Sequence, residues 1–378
     1  MEREAQIRRC PESERFLKTP SFGTLRPAAS HGPVIIINRC EWRSDILILL
    51  SNAPPSLIPT PGDFFDRTSK MKDQLLDVRN NHGLDSNEYE LTLGSVLSEL
   101  YQLVGEPVIQ RLRELRIPEQ SRIWWCPTSV FCSLPLHAMG PIPSTDDIDV
   151  KQYISDLYIC SYTPSLSALL ESRSRDSHFS ENLSLLLVAQ PDATLPDAQA
   201  EIKVVQALPV QVTSLISEDA TSSAVVDGLR SHQLVHFACH STLEKAKPFD
   251  ASFKLHGDDC LTLLEIAQSQ LSSAEFAFLA TSHTAELTDE SVAGEGLHLV
   301  TAIQYCGFRS VVGTMWAMTS MDRPDLAEHF YKSMFSKEKE GVPYYERSAE
   351  ALRDAVQELR RKKNISLKRW VNFVHYGA

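Results

Sequence analysis

The sequence predicts an α/β protein built on a mainly parallel sheet covered by helices on both faces. Three observations point there. Short, near-continuous apolar runs recur along the chain; from Arg122 onward they alternate with segments of helical periodicity; and some stop abruptly at small polar residues, as FAFLA (276–280) does at Thr281, Ser282 and His283. Strands buried on both faces read as such runs, and a polar stop marks where a strand reaches the edge of its sheet.

In chain order, PVIIIN (33–38) and DILILL (45–50) read as a two-stranded hairpin around NRCEWRS. Pro33 opens the first strand, where a missing N–H is tolerated. A proline-rich patch from Pro54 to Pro61 interrupts the pattern before long helical segments over about 63–80 and 87–114. This amino-terminal piece reads either as a subdomain or as an edge of the main sheet. Strands are then predicted at IWWC (123–126), LSLLLVA (183–189), QVTSLI (211–216), LVHFAC (234–239), FAFLA (276–280) and SVVGTM (310–315). Between them, Ala198, Ile202, Val205 and Leu208 recur at helical spacing, with Asp197 set to cap and Pro209 to stop the run. Leu299, Ile303 and Cys306 mark one face of a helix over 295–306 that Gly307 ends, and Pro324 with Asp325 opens another carrying Leu326, Phe330 and Met334.

Composition narrows the function classes. With 37 basic and 49 acidic residues and a net charge of -12, the chain is not expected to bind nucleic acid or an anionic membrane generally. No apolar run is long enough to span a bilayer, and the first residues, MEREAQIRRCPESERF, lack a signal-peptide core. Eight cysteines (10, 40, 126, 132, 160, 239, 260 and 306) are scattered without zinc or CxxC spacing, which suits buried thiols in a reducing, cytoplasmic setting.

Two predicted strands end in residues capable of chemistry. LVHFACHS sets His240 just past one strand, and FAFLATSHT sets Ser282 just past another. Ligands of open parallel sheets bind outside the carboxyl ends of the strands, so neighbouring strands would bring this base and this nucleophile to one crevice. Turn duty explains a strand-end His or Ser equally simply. His232, His236 and His240 lie four apart, which on a strand means about 13 Å between neighbours; a metal site is not expected, and His236 reads as buried and hydrogen-bonded. No GxSxG elbow, GxxxxGK[ST] loop or strand-coupled GxGxxG occurs, so neither an α/β-hydrolase nor a nucleotide-phosphate site is supported. The basic run from Arg360 to Lys363 reads as a solvated helix end, favoured there by the helix dipole.

At these residues the chain resembles the CHAT domain family, whose caspase-like cysteine-protease fold is related to caspases and separase. The resemblance covers roughly 90–378 and runs in order through RIWWCPTSVFCSLPLHAMG (122–140), YISDLYICSYTPSLSALL (153–170), LVHFACHS (234–241), LTLLEI (261–266), FLATSHTA (278–285) and GFRSVVGTMWAM (307–318). The close of the chain, KRWVNFVHYGA (368–378), is similar to that of fungal CHAT domains. The resemblance implies a caspase-like sheet over 86–378 preceded by an extension over 1–85 with a hairpin and helix. It also implies a catalytic base at His240, a nucleophile at 282, an oxyanion hole from the N–H groups of Ser241 and Ser282, and no cofactor. Its relatives cleave proteins or peptides, so a protein or peptide substrate is implied. CHAT domains often follow helical repeats, so a regulatory partner or helical-repeat region is implied as well.

The sequence departs from the family pattern at three places. Ser282 stands where the family has its cysteine; an alcohol needs a well-oriented base to remove its proton during attack, which a thiol near its pKa does not. Loss of most activity is the expectation, and three origins fit the serine: a natural pseudoprotease, a working serine variant, or a replaced nucleophile. Ser241 stands for a usual glycine. Thr319 and Ser320 stand where acids often follow the tryptophan, here Trp316, with Asp322 close enough to substitute in substrate binding. Trp316 reads equally as core or as substrate contact.

Overall fold

The computed structural model describes residues 20–141, 152–174, 183–191, 195, 197–242, 251–280, 299–316, 322–336, 342–362 and 365–378. The hairpin forms as expected: β1 (Val34–Asn38) pairs antiparallel with β2 (Asp45–Leu49), Val34 opposite Leu49 and Asn38 opposite Asp45. Inside the proline patch, however, the chain adds β3 (Ser56–Pro59) against β2. Proline fits because β3 is the sheet's outermost strand, where one missing donor costs no ladder bond. The helical run over 87–114 is also divided. Helices α1 (Phe64–His82) and α2 (Asn87–Leu100) are followed by a π turn at Tyr101–Gly105 and then α3 (Glu106–Glu114). Pro107 has no N–H to continue the ladder, and the register slips just before it.

The remaining strands are β4 (Arg122–Pro127), β5 (Ile159–Tyr162), β6 (Ser184–Ala189), β7 (Gln211–Ile216), β8 (Leu234–Ala238), β12 (Phe276–Leu279), β13 (Ser310–Thr314) and β14 (Phe373–Gly377). Three short strands, β9 (Ser241–Thr242), β10 (Ser252–Lys254) and β11 (Cys260–Thr262), make a separate sheet. Among the described residues the main sheet has eleven strands in the order β3-β2-β1-β4-β5-β14-β13-β12-β8-β6-β7. Its interior consists of two parallel blocks. β1, β4, β5 and β14 run one way, β13, β12, β8, β6 and β7 run the other, and the blocks meet at the antiparallel β13–β14 pair. The hairpin, with β3 outside it, therefore belongs to the main sheet near one edge.

Alternating side chains assign the faces. His236 and Phe237 are successive residues of β8 and so point to opposite sides. His236 stacks on Phe278 with ring centroids 4.9 Å apart and meets α5 (Ala198–Gln206) and α9 (Arg323–Met334) through Glu201 and Tyr331. Phe237 stacks on Phe253 of β10 at 4.1 Å on the other face. That second face also carries α6 (Ser222–Ser231), whose Gly228 lets the backbone approach Leu186 so closely that a Cβ would come within 2.8 Å of it. The expected burial and hydrogen bonding of His236 are both present: it is 0% exposed and its Nδ1 lies 2.8 Å from the Tyr331 hydroxyl. Asp197 occupies the N-cap of α5 as expected, yet its side chain makes no capping bond.

Helix α1 ties the blocks together. Its first turns meet Arg39 beyond the carboxyl end of β1, and Arg79 near its other end lies 4.2 Å from the centre of the Trp316 ring, beyond the carboxyl end of β13. Since β1 and β13 point in opposite directions, these are opposite edges, which a 19-residue helix spans at about 1.5 Å per residue. Among the described residues no helix is long and apolar enough to cross a membrane.

Candidate functional site

In the second block the chain runs from β6 outward to β7, then back across β6 to β8, and onward to β12 and β13. Such a reversal leaves a crevice outside the carboxyl ends of the strands flanking it, here β6 and β8. His240 follows β8 by two residues and is partly buried. Apolar burial anchors the strand on which it depends, since Leu234, Val235, Phe237 and Ala238 are each at most 1% exposed. Their transfer from water contributes about 1.5–3 kcal/mol for each large side chain.

The loop after His240 is fixed by the small sheet. Lys254 donates its N–H to the His240 carbonyl at 2.8 Å, and Phe253 lies opposite Ser241. In an antiparallel ladder hydrogen-bonded and non-hydrogen-bonded pairs alternate. With 240 and 254 bonded, Ser241 belongs to a non-bonded pair, and its N–H is directed away from β10. Ser241 itself is 2% exposed.

The neighbouring strand β12 ends at the same edge. Phe276 to Leu279 lie opposite Leu234 to Phe237, and the Ala280 N–H continues the ladder to the Phe237 carbonyl at 2.9 Å. Ser282 lies outside the described residues, as do Thr319 and Ser320. Trp316 follows the next strand, β13. It is 3% exposed, its carbonyl accepts from Asn372 Nδ2 at 3.3 Å, and Arg79 covers its ring. Asp322 stands at the N-cap of α9, 3% exposed, with both carboxylate oxygens held by Arg369, at 2.6 Å from Nε and 2.5 Å from Nη2. Thus His240, Ala280 and Trp316 follow the ends of three adjacent parallel strands, while Asp322 is committed to an arginine.

One residue at this edge escaped sequence reasoning. Arg323 is 3% exposed and donates Nη1–H to the Ala280 carbonyl at 2.8 Å, two residues before Ser282. Its Nε and Nη2 are buried without a hydrogen-bond partner among the described residues. The available signal was position: a cation in the first turn of a helix opposes the dipole, so Arg323 beside Pro324 needed another reason to be there.

Burial works against thiolate formation at the cysteine beside His240 and at others farther away. Cys239, beside His240, is 0% exposed, and burial pushes its thiol up to about 12. Cys306 and Cys126 are likewise raised to about 12 by burial, and Cys132 to about 11. All seven described cysteines are free thiols, with Cys260 exposed. A nucleophilic thiolate requires the opposite shift.

A family model for the CHAT domain matches residues 94–378. No curated protein sequence matches. Among solved structures, the separase–securin complex of Saccharomyces cerevisiae is similar with a TM-score of 0.59 at 11% identity, covering 99% of this chain and 32% of that one. The chain therefore spans about a third of the length of the chain it matches. The Arg-specific cysteine proteinase gingipain R of Porphyromonas gingivalis is similar with a TM-score of 0.46 at 11% identity, over 82% of this chain and 74% of that one. Identities this low speak to the fold alone, and it is the caspase-like fold of separase, a large mostly parallel sheet flanked by helices. With the family match running from within α2 to the end of β14, the chain belongs to the CHAT domain family.

Proposed function

We infer that the chain is a caspase-like endopeptidase scaffold in which residue 282 attacks a peptide carbonyl and His240 moves the proton to the leaving amine. The observation that carries this reading is the register of β8 and β12. That register brings the carboxyl ends of β8 and β12 to one edge, with His240 two residues past the first strand and position 282 three residues past the second in the sequence. The direction of the Ser241 N–H, away from β10, supports its part in an oxyanion hole together with the N–H of residue 282. Trp316 and Asp322 lie at the same edge and are assigned to the substrate cleft. The bond from Arg369 leaves Asp322 unable to read a basic side chain unless that pair opens.

As written the enzyme turns over weakly or not at all, because a serine replaces the thiol and Cys239, driven up to about 12, does not stand in for it. That chemistry gives the second reading, a pseudoprotease that binds a peptide or partner protein in the same cleft as a scaffold for signalling. The separase structure is a complex with securin, which supports a protein partner here. A cytoplasmic setting fits the free thiols.

The test is cleavage of a diverse peptide mixture, read by mass spectrometry, for the chain, for Ser282→Cys, and for Ser282→Cys with His240→Ala. Cleavage by Ser282→Cys alone, abolished without His240, is the expected result. Binding of peptides with cleavage by none of the three gives the scaffold reading.

A further inference from the structure

At the edge opposite His240, a cleft of about 400 Å³ lies between α4 (Leu166–Ser174) and the turn that joins α8 (Leu299–Tyr305) to β13. This volume is in the range of binding sites for small groups. On one wall Ala168, Glu171 and Ser172 recur at spacings of three and four, so they share one face of α4. Ala168 and Ser172 are buried, and Glu171 is exposed. The opposite wall carries Tyr305. Every other residue of α8, from Leu299 to Gln304, is buried, whereas Tyr305 is 56% exposed.

Both accessible groups are uncommitted. Among the described residues the Glu171 carboxylate has no ion pair or hydrogen bond, and the Tyr305 ring and hydroxyl have no partner. Arg309, also in the lining, does not cancel Glu171. It is 4% exposed, its guanidinium lies over the Tyr345 ring at 4.8 Å, and its charge acts on Glu275. The accessible charge of the cleft is therefore negative, on a chain whose net charge of -12 attracts cations to it.

A free carboxylate and an exposed aromatic ring lining one cleft select an organic cation. A guanidinium suits them better than an ammonium. It is planar, so it can stack on the ring and still present two parallel N–H groups to the carboxylate, and it is more weakly hydrated, so it gives up less on leaving water. Since Glu171 and Tyr305 are both exposed, a side chain projecting from another protein can reach them. We propose that this cleft receives an arginine side chain of a partner peptide or protein, paired with Glu171 and stacked on Tyr305. The site is independent of the protease reading at the other edge.

N-acetyl-L-arginine amide titrated into the full 378-residue chain by calorimetry is the direct test. Saturable binding with a Kd at or below about 1 mM is expected. It should weaken by about tenfold or more for N-acetyl-L-citrulline amide, which keeps the shape and loses the charge, and by a similar factor in Glu171→Gln. Tyr305→Ala should weaken it by about threefold. Both residues are exposed, so the denaturation midpoints of the two variants should match that of the parent. No saturation by the arginine compound, or citrulline binding as tightly as arginine, overturns the proposal. Binding that Glu171→Gln leaves unchanged overturns it too, because the arginine would then be held elsewhere on the chain.

Discussion

Beyond the carboxyl end of β1 the polar groups around Arg39 close on one another, while beside the carboxyl end of β12 Arg323 keeps two nitrogens without a partner among the described residues. On the first edge Arg39 donates to Thr68 Oγ1 at 2.8 Å, Ser129 Oγ at 2.9 Å and the Phe65 carbonyl at 2.9 Å, and it also meets Ser69. Thr128 Oγ1 in turn accepts from the Arg39 N–H at 3.0 Å and donates to the Ile37 carbonyl at 2.8 Å. On the second edge Arg323 spends one N–H on the Ala280 carbonyl and keeps two nitrogens buried and unmatched. A polar network whose bonds are all made contributes rigidity, whereas unmatched donors in a dry crevice are a cost borne for some other purpose. One sheet thus has a closed arginine network beyond one edge and an incompletely matched buried arginine beyond the other.

The largest effect that sharpens this contrast is expected from pH. His137 sits beside the last residue of β5, its Nδ1 2.8 Å from the Tyr162 hydroxyl, and burial lowers it from 6.5 to about 4. Between those values the unfolded chain takes up a proton that the folded chain refuses, so stability falls as pH drops through the window, by about 3 kcal/mol from this group. His375, also lowered by burial, adds in the same direction. Urea unfolding from pH 7 to pH 4 should show the loss, and His137→Gln should flatten it. An unchanged slope in that variant would mean the first block is not held together by groups kept neutral.

A somewhat smaller free-energy change, read as rate, is expected at Arg323. In the Ser282→Cys background, Arg323→Leu should lower kcat by about 100-fold through misplacement of the β12 end, with KM nearly constant. Arg323→Lys keeps a donor for the Ala280 carbonyl and should recover part of the rate. Equal loss in both variants, or a change in KM alone, would refute a positioning role.

The contrast was only half legible in the sequence. The second block could be read because its strands LSLLLVA, LVHFAC and FAFLA are nearly continuous apolar runs, interrupted by Ser184 and His236 alone, as burial on both faces requires, and the polar stop at each end located the edge. The first block was harder. β5 (ICSY) and β14 (FVHYG) are short and mix polar with apolar residues, and they become strands through pairing with neighbours already in place, β5 with β4 and β14 with β13. The Glu201–His236 contact of 3.2 Å at the centre of the sheet joins residues on a helix and a strand whose meeting no local pattern announces. The assignment of Ser241 rested on family likeness, and its direction became readable only from the parity of the β9–β10 ladder.

The smallest effect is expected at the closed edge itself. Arg39→Met removes the hub of this network and takes a donor from Ser129 Oγ, while Ser69 Oγ and the Phe65 carbonyl keep their bond to each other at 3.0 Å; Arg39 is partly exposed, so water replaces some of the lost bonds. A loss of about 2 kcal/mol in the urea midpoint is expected. Cleavage by the Ser282→Cys background should be unaffected, since α1 carries the disturbance at its first turns while its contact with Trp316 is made by Arg79 near its far end. If instead Arg39→Met reduces kcat as much as Arg323→Leu does, the helix transmits strain from one edge to the other. The two edges would then work as one coupled unit, and the division drawn between them would be wrong.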